Sequence, residues 1–400
     1  MDIIVQKYGG SSLAEDEQLR AVAQRIAATR KQGHNVVVVV SAMGGTTSRL
    51  LAHAGRLNAN PEHRELDMLL AAGEQKAASL LSLALQDLGL DAVSLTGAQA
   101  GVRTCGAHLN ARIRSVDPTR MQRALEHGRI AVVAGFQGAS PNGEITTLGR
   151  GGSDTTAVAI AAALGAARCE IYSDVDGVYT ADPRIVPDAV RLRTVSHEEM
   201  KTLAHHGAGV LNERAIDYAI EHDVAIHARK THGPGSGETI VRSGQIAGRA
   251  RIAGIACHKQ LLRIDFNELS DHAQLQDMLA AFELFAPQLA GSGRGTCLLP
   301  LEQVVDGEGL ARALLERLGE NISVTGPLAC VSAVGRNAGR DPGTLNFARN
   351  ALAAAGIEAR QVFATEHAVS CLVDLEHVTE ATRCFHHSFR IIDTGVADVA

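Results

Sequence analysis

Three short runs in this chain concentrate residue types that handle phosphate and carboxylate groups. The first is Lys7-Tyr8-Gly9-Gly10-Ser11-Ser12. A lysine followed by two glycines and two hydroxyls can cradle a phosphate. Glycines let backbone N–H groups come close, and the lysine supplies a point charge. The same residues also suit an ordinary tight turn. The second run is Thr146-Thr147-Leu148-Gly149-Arg150-Gly151-Gly152-Ser153-Asp154-Thr155-Thr156. It sits directly before a helix candidate, and a helix N-terminus attracts anions through its free N–H groups and its dipole. Arg150 can fork onto a carboxylate. Asp154 can orient a lysine or help organise a metal–phosphate complex. The third run, Ser173-Asp174-Val175-Asp176-Gly177-Val178-Tyr179-Thr180-Ala181-Asp182-Pro183-Arg184, follows a strand candidate. It reads as a polar turn, or as a place where Tyr179 and Arg184 meet a base and a polyphosphate.

Several familiar sites are missing. There is no GxxxxGK[ST] phosphate loop and no GxGxxG between a strand and a helix. The HRD and DFG signatures of protein kinases are missing too. The seven cysteines are scattered and form no CxxC, which argues for free thiols in a reducing compartment. The adjacent pairs His205-His206 and His386-His387 would point in different directions on a helix or strand, so no metal ligands are expected among them. A net charge of −6 with no basic run excludes an electrostatic footprint for nucleic acid. No stretch reaches the ~18 apolar residues of a membrane span. The first residues lack the parts of a signal peptide, so a cytoplasmic protein is expected.

These runs need elements to hold them. The chain has 400 residues, enough for two or three compact units. Aromatic residues are only 3% and Trp is absent, so the cores must be aliphatic. Short β-branched runs occur at Ile3 to Val5, Val36 to Val40, Ile130 to Val133, Glu170 to Tyr172 and Val224 to His227. Between them lie helical patterns, such as Leu19, Val22 and Ile26, and the Ala-rich stretch Thr156 to Leu164. This alternation predicts an α/β fold with a mainly parallel sheet and helices on both faces. The pattern changes near residue 248, where Ile246 to Ile252 reads as a junction. Two units then follow, 249–322 and 323–400, each readable as strand, helix, strand, strand, helix, strand. In the second, Cys330 to Val334, Val362 to Thr365 and Ala368 to Val373 are expected as strands. Helices are expected from Pro342 to about Ala355 and from Val378 to His386.

Taken with Ser41-Ala42-Met43-Gly44-Gly45-Thr46-Thr47, Gly73-Glu74 and Gly135-Phe136-Gln137-Gly138, the runs resemble the aspartate kinase family in order and spacing. The resemblance covers residues 1–240. The remainder is similar, more weakly, to that family's pair of ACT regulatory domains. The resemblance implies an amino-acid-kinase catalytic domain over 1–248 and ferredoxin-like ACT domains over 249–322 and 323–400. It implies transfer of the γ-phosphate of ATP, with Mg²⁺, to the β-carboxylate of L-aspartate, giving 4-phospho-L-aspartate. That reaction opens the biosynthesis of lysine, threonine and methionine. Lys7 is then expected at the transferring phosphoryl group, and Asp154 beside it, organising the phosphate site. Tyr8, Gly9 and Gly10 join Lys7, Ser173, Asp174, Tyr179 and Arg184 in holding ATP. Ser41 and Thr47 line the aspartate pocket. Glu74 holds the α-ammonium, and Arg150 with Gly151, Gly152 and Ser153 holds the α-carboxylate.

The chain departs from that family at several positions, and the family's Asn-Ile-Asp strand segment in the first ACT-like unit is not recognisable. Gly209 stands where a lysine near the nucleotide is usual. Ser270-Asp271-His272-Ala273 replaces a helix-opening Pro-Gly at the effector loop. Ala364-Thr365-Glu366-His367 replaces a Ser-Thr-Ser-Glu-like run, although Pro342-Gly343 is kept. Altered feedback inhibition is the expectation, in a homodimer paired through the ACT domains. Two other readings stand beside the first: a kinase for a different carboxylate, and a sensor that binds an amino acid without catalysis.

Overall fold

The computed structural model describes residues 1–233, 237–244, 252–266, 288–290, 294–301, 312, 315–316, 319 and 322–389. They fall into two compact units. The first holds Met1–Val178, Arg191–Lys201 and the stretch from Gly209 to Gly244. The second holds Tyr179–Val190, Thr202–Ala208 and the described residues from Ile252 onward.

The first unit runs β1 (Ile3–Tyr8), α1 (Asp16–Lys31), β2 (Asn35–Val40), α2 (Thr46–Leu57), α3 (His63–Asp87), β3 (Ala92–Leu95), β4 (Val102–Cys105), β5 (Arg112–Val116), α4 (Thr119–Glu126), β6 (Ile130–Ala134), β7 (Gln137–Ala139), β8 (Ile145–Thr147), α5 (Gly152–Leu164) and β9 (Arg168–Ser173). After these come β10 (Thr194–Ser196), α6 (His197–His205), α7 (Glu213–His222), β11 (Ile226–Lys230) and β12 (Glu238–Arg242). Only the first part of α6 belongs to this unit.

Eight strands form one sheet in the order β10-β12-β11-β9-β1-β2-β6-β3. Neighbours are parallel except β11 and β12. β2 and β6 are apolar along nearly their whole length because both faces are covered, whereas β1 and β9 bury Gln6, Lys7 and Glu170 among their apolar residues. Val36 to Val40 are all essentially buried, each contributing about 1.5–3 kcal/mol relative to exposure. Tyr8, Val38, Val132 and Tyr172 pack under Leu19, Val22 and Ile26 of α1 and Leu81 and Leu85 of α3. Glu15 starts α1 with a capping box shared with Gln18. The α5 helix is apolar on nearly every side and is buried accordingly. A four-stranded sheet, β5-β4-β7-β8, lies outside the sequence expectations because its strands are short and polar. The expected strand at Val224 begins instead at Ile226. Asp223 ends α7 in a left-handed conformation, and the chain needs Val224 and Ala225 to turn back.

The second unit contains β13 (Gly254–Phe266), β14 (Gln288–Ala290), β15 (Arg294–Pro300), β16 (Ile322–Val334), α8 (Pro342–Ala354), β17 (Gln361–Thr365), β18 (Ala368–Asp374) and α9 (Val378–Ser388). Its strands make one antiparallel six-stranded sheet, β14-β15-β13-β16-β18-β17. This ferredoxin-like, ACT-type sheet is a single body: β13 and β16 run through it, so two separate ACT domains are not resolved. Alternate residues Ala329, Val331, Ala333, Val369, Cys371 and Val373 form a core with Ala348, Leu352, Ala381 and Phe385 of the helices. The turn Ala364 to His367 grips the preceding loop: His367 Nδ1 accepts from the Asn337 N–H at 3.1 Å, and Arg340 pairs with Glu366 at 2.7 Å. Ser270 to Ala273 and most of the junction near residue 248 lie outside the described residues.

No helix among the described residues is long and apolar enough to cross a membrane.

Candidate active site

The chemistry-bearing residues of the first unit gather at the carboxyl ends of its parallel strands, where open α/β sheets bind ligands. β1 ends at Lys7 and Tyr8, β2 leads into Ser41, and β9 ends at Ser173. The N-terminus of α5 points to the same edge. Lys7, 8% exposed, reaches Asp154 in the first turn of α5, with Nζ 2.6 Å from Oδ1. The contact is an ion pair and not an aligned hydrogen bond, since Oδ1 has no hydrogen-bond partner of good geometry. The expected coupling of Lys7 and Asp154 is thus present in the fold.

Gly9 and Gly10 follow at once. A side chain on Gly10 would stand 2.4 Å from the carbonyl oxygen of Ala42, so the glycine loop lies against the β2 loop. The Gly44 N–H donates to the Gly10 carbonyl at 2.9 Å. The loop is pinned from a third strand: Ser12 and Thr231 share a hydroxyl contact of 2.6 Å, and Thr231 donates to the Ser173 carbonyl. Tyr8 stacks on Tyr172 with centroids 4.8 Å apart, and its ring is fully buried. What Tyr8 offers a ligand is therefore its backbone.

Two buried glutamates in this unit have opposite electrostatics. Glu170 accepts from Gln6, Arg168, Tyr172 and Arg229. Burial pushes its carboxyl up, but the Arg229 and Arg168 charges outweigh that and hold it below the usual range. Glu74 on α3 is 4% exposed and, among the described residues, has no cation beside it. Its Oε1 accepts the Ala42 N–H at 3.1 Å, while Oε2 is buried with no partner. Burial pushes Glu74 up to about 7. A buried carboxylate oxygen without a donor is costly unless a ligand supplies one. Ser41 and Thr47, both half-buried, lie on the segment that carries Ala42.

Arg150 is exposed, and its guanidinium has no protein partner among the described residues. Its loop is held firmly by its backbone. Gly151 caps α5 with φ of 67°, and a side chain there would strike Asn212 at 2.1 Å. Asn212 donates to the Arg150 carbonyl at 3.2 Å while its own side-chain oxygen caps α7. Arg214 donates to the Leu148 carbonyl at 2.7 Å and to Asn110. Gly152 and Ser153 open α5 and are buried.

Sequence reasoning missed Asp67, His108, Asn110, Asn212 and Arg214. Asp67 had one visible signal, a carboxylate on the apolar face of α3, between Leu66 and Leu70. The others gain their roles only through contacts distant in sequence. Asp174 is exposed at the end of β9. Tyr179 and Arg184 belong to the second unit, where Arg184 pairs with Asp182 at 2.9 Å. Gly209 is exposed, with open space where a side chain would go.

The model of the amino acid kinase family matches residues 2–229. The chain is 38% identical over 406 residues to the aspartokinase of Geobacillus stearothermophilus, covering 99% of each protein. It is 55% identical over 244 residues to an aspartokinase of Mycobacterium tuberculosis, covering 61% of this chain and 58% of that protein. Among solved structures, the aspartate kinase from Synechocystis is 33% identical with a TM-score of 0.55, covering 97% of this chain and 70% of that one. Escherichia coli aspartokinase III in complex with aspartate and ADP shares the fold, at 22% identity and a TM-score of 0.82 over 97% of this chain and 99% of that one. The chain belongs to the amino acid kinase family and, within it, to the aspartokinases.

Proposed function

We propose that this chain is an ATP-dependent phosphotransferase that moves the γ-phosphoryl group of ATP onto the β-carboxylate of L-aspartate. The product is 4-phospho-L-aspartate, the entry to lysine, threonine and methionine biosynthesis. The observation that carries the reading is Glu74: a buried carboxylate oxygen with no donor, in a unit whose other buried glutamate is fully paired. An α-ammonium group is the ligand that completes it. Arg150, with its free guanidinium, takes the α-carboxylate, and Ser41, Thr47 and Gly151 to Ser153 line the pocket. Clamping both α-groups of a short amino acid leaves its side-chain carboxylate to react.

That carboxylate is ionised at neutral pH, so no strong general base is needed. The acceleration comes from alignment and from neutralising charge that spreads over the phosphoryl oxygens. Lys7 supplies the positive charge, and Asp154 holds the ammonium in place. The Gly9 N–H is taken by the Tyr172 carbonyl at 3.3 Å, so the Gly10 N–H is the one that the glycine loop offers to the phosphates. Ser173 and Asp174, at the end of β9, are read as further nucleotide contacts. Mg²⁺ bound by nucleotide phosphates needs only one or two protein carboxylates, of which Asp154 would be one, and it would neutralise phosphate charge when bound. The second unit is read as two ACT domains, 249–322 and 323–400, that pair the chain into a homodimer.

A hydroxamate assay on purified protein with MgATP tests the reaction. Product is expected with L-aspartate and not with L-glutamate or without substrate. Folded protein that binds ATP yet yields product only with another carboxylate would overturn the substrate assignment.

A further inference from the structure

One cluster of buried polar groups in the first unit lies outside the catalytic set. Asp67 on α3 is completely buried, and among the described residues no lysine or arginine touches it. Its carboxylate accepts three hydrogen bonds. The Thr147 hydroxyl donates to Oδ1 at 2.5 Å, and the Leu109 N–H donates to the same atom at 3.1 Å. His108 Nδ1 lies 2.5 Å from Oδ2. A carboxylate can only accept, so the His108 proton is on Nδ1. Leu109 takes a left-handed backbone with φ of 65°, a conformation that a leucine holds only when its surroundings enforce it.

The cluster ties three pieces of chain together. Asp67 and Glu74 are seven residues apart on α3, two turns of one helix face, about 10 Å along the axis. Leu109 and Asn110 lie in the loop before β5, and the Ala111 N–H donates to the Thr147 carbonyl at 2.9 Å. Thr147 ends β8, three residues before Arg150. On the far side of that loop, Arg214 holds both Leu148 and Asn110. Asp67 is therefore the side chain that joins the helix carrying Glu74 to the loop carrying Arg150.

We propose that Asp67 and His108 are positioning residues that set the spacing between the Glu74 and Arg150 clamps, and thereby the size of amino acid that fits. This rests on the functional reading above. Neither residue touches ATP or the reacting atoms in this scheme. Their loss is felt in amino-acid binding and selectivity and not at the nucleotide.

The test uses the full chain and compares His108→Ala, His108→Asn and Asp67→Asn with the wild type. Thermal melts accompany hydroxamate kinetics and calorimetric titration with L-aspartate. A displaced clamp costs about ten- to a hundredfold in affinity, the scale of one lost hydrogen bond to a charged group. The expected result for His108→Ala and Asp67→Asn is a rise of that size in the aspartate KM and Kd, with the ATP KM within about twofold. Discrimination against L-glutamate should fall. His108→Asn, whose amide nitrogen sits where Nδ1 was, should restore most of the affinity. An equal rise in both KM values, unchanged aspartate binding, or no rescue by asparagine would overturn the proposal. The wild-type assay separates the two claims: no aspartyl hydroxamate from unaltered protein overturns the functional reading, whereas the variant comparison bears on the clamp spacing alone.

Discussion

Lowering the pH from 8 to 6 should weaken aspartate binding about tenfold, and Glu74 should be the reason. Burial pushes the carboxyl up to about 7 by stripping it of water, and the backbone N–H groups of Ala42 and of Glu74 itself offset only part of the loss. An α-ammonium binds the ionised form. At pH 8 most of the enzyme is ready; at pH 6 roughly nine molecules in ten carry a proton that must leave first. Both carboxylates of aspartate are ionised over this interval and its α-ammonium stays protonated, so the substrate adds little titration of its own. The sign for stability runs the other way. The folded value lies above the unfolded value of 4.5. Between those points the folded protein holds a proton that the unfolded chain has lost. Ligand-free stability from this group is therefore complete below 4.5 and declines as pH rises through 7. The full gap corresponds to roughly 3 kcal/mol, at about 1.4 kcal/mol per pKa unit. Calorimetric titration with L-aspartate at pH 7, in buffers of different ionisation heat, should show release of about half a proton. Glu74→Gln should abolish that release, flatten the pH dependence, and raise the melting temperature of the ligand-free protein at pH 8. Flat affinity from pH 6 to 8 with no proton released would refute the reasoning, as would a glutamine variant that melts no higher than the wild type.

Three further outcomes are expected. Lys7→Ala should lower kcat by about 10²–10³, the cost of removing one transition-state donor, with aspartate KM changed only a few-fold; an unchanged kcat in steady-state kinetics would remove Lys7 from the phosphoryl site. Gly151→Ala should destabilise the protein by about 1–2 kcal/mol from the left-handed backbone alone, and further through its collision with Asn212; urea unfolding indistinguishable from wild type would contradict the cap geometry. Gly209→Lys should leave the melting temperature unchanged, because the position is open and its backbone is not left-handed, and it should lower the KM for ATP. A KM for ATP that does not move would show that this position does not serve the nucleotide.

Much of the scaffold was legible because its signals are local. Val36 to Val40 can only be a strand buried on both faces, and Leu19, Val22 and Ile26 can only face a core from a helix. The glycine-rich runs were legible for a related reason. Gly151 and Gly10 stand where a Cβ cannot, and such positions announce themselves in sequence. The four-stranded sheet of the first unit was not legible. Its strands are three to five residues long, and β5 is largely exposed, so no periodicity develops. The division of the C-terminal half into two repeats was a reading of order along the chain. Long strands such as β13 and β16 can serve two neighbourhoods at once, and linear order does not reveal that.

The sequence by itself singled out the residues proposed for the chemistry. Lysine beside glycine, arginine before a helix and aspartate in its first turn are demanded by phosphate and carboxylate wherever they are bound. Tertiary structure alone decided how those residues are tuned. Glu74 and Glu170 are the same side chain and both are buried, yet one is left with an unpaired oxygen and the other is satisfied by Arg229 and Gln6 from other strands. The difference lies in which distant strand or loop comes within 3 Å. Electrostatic work depends on that distance and on the water excluded around it, and neither quantity exists until the chain has folded.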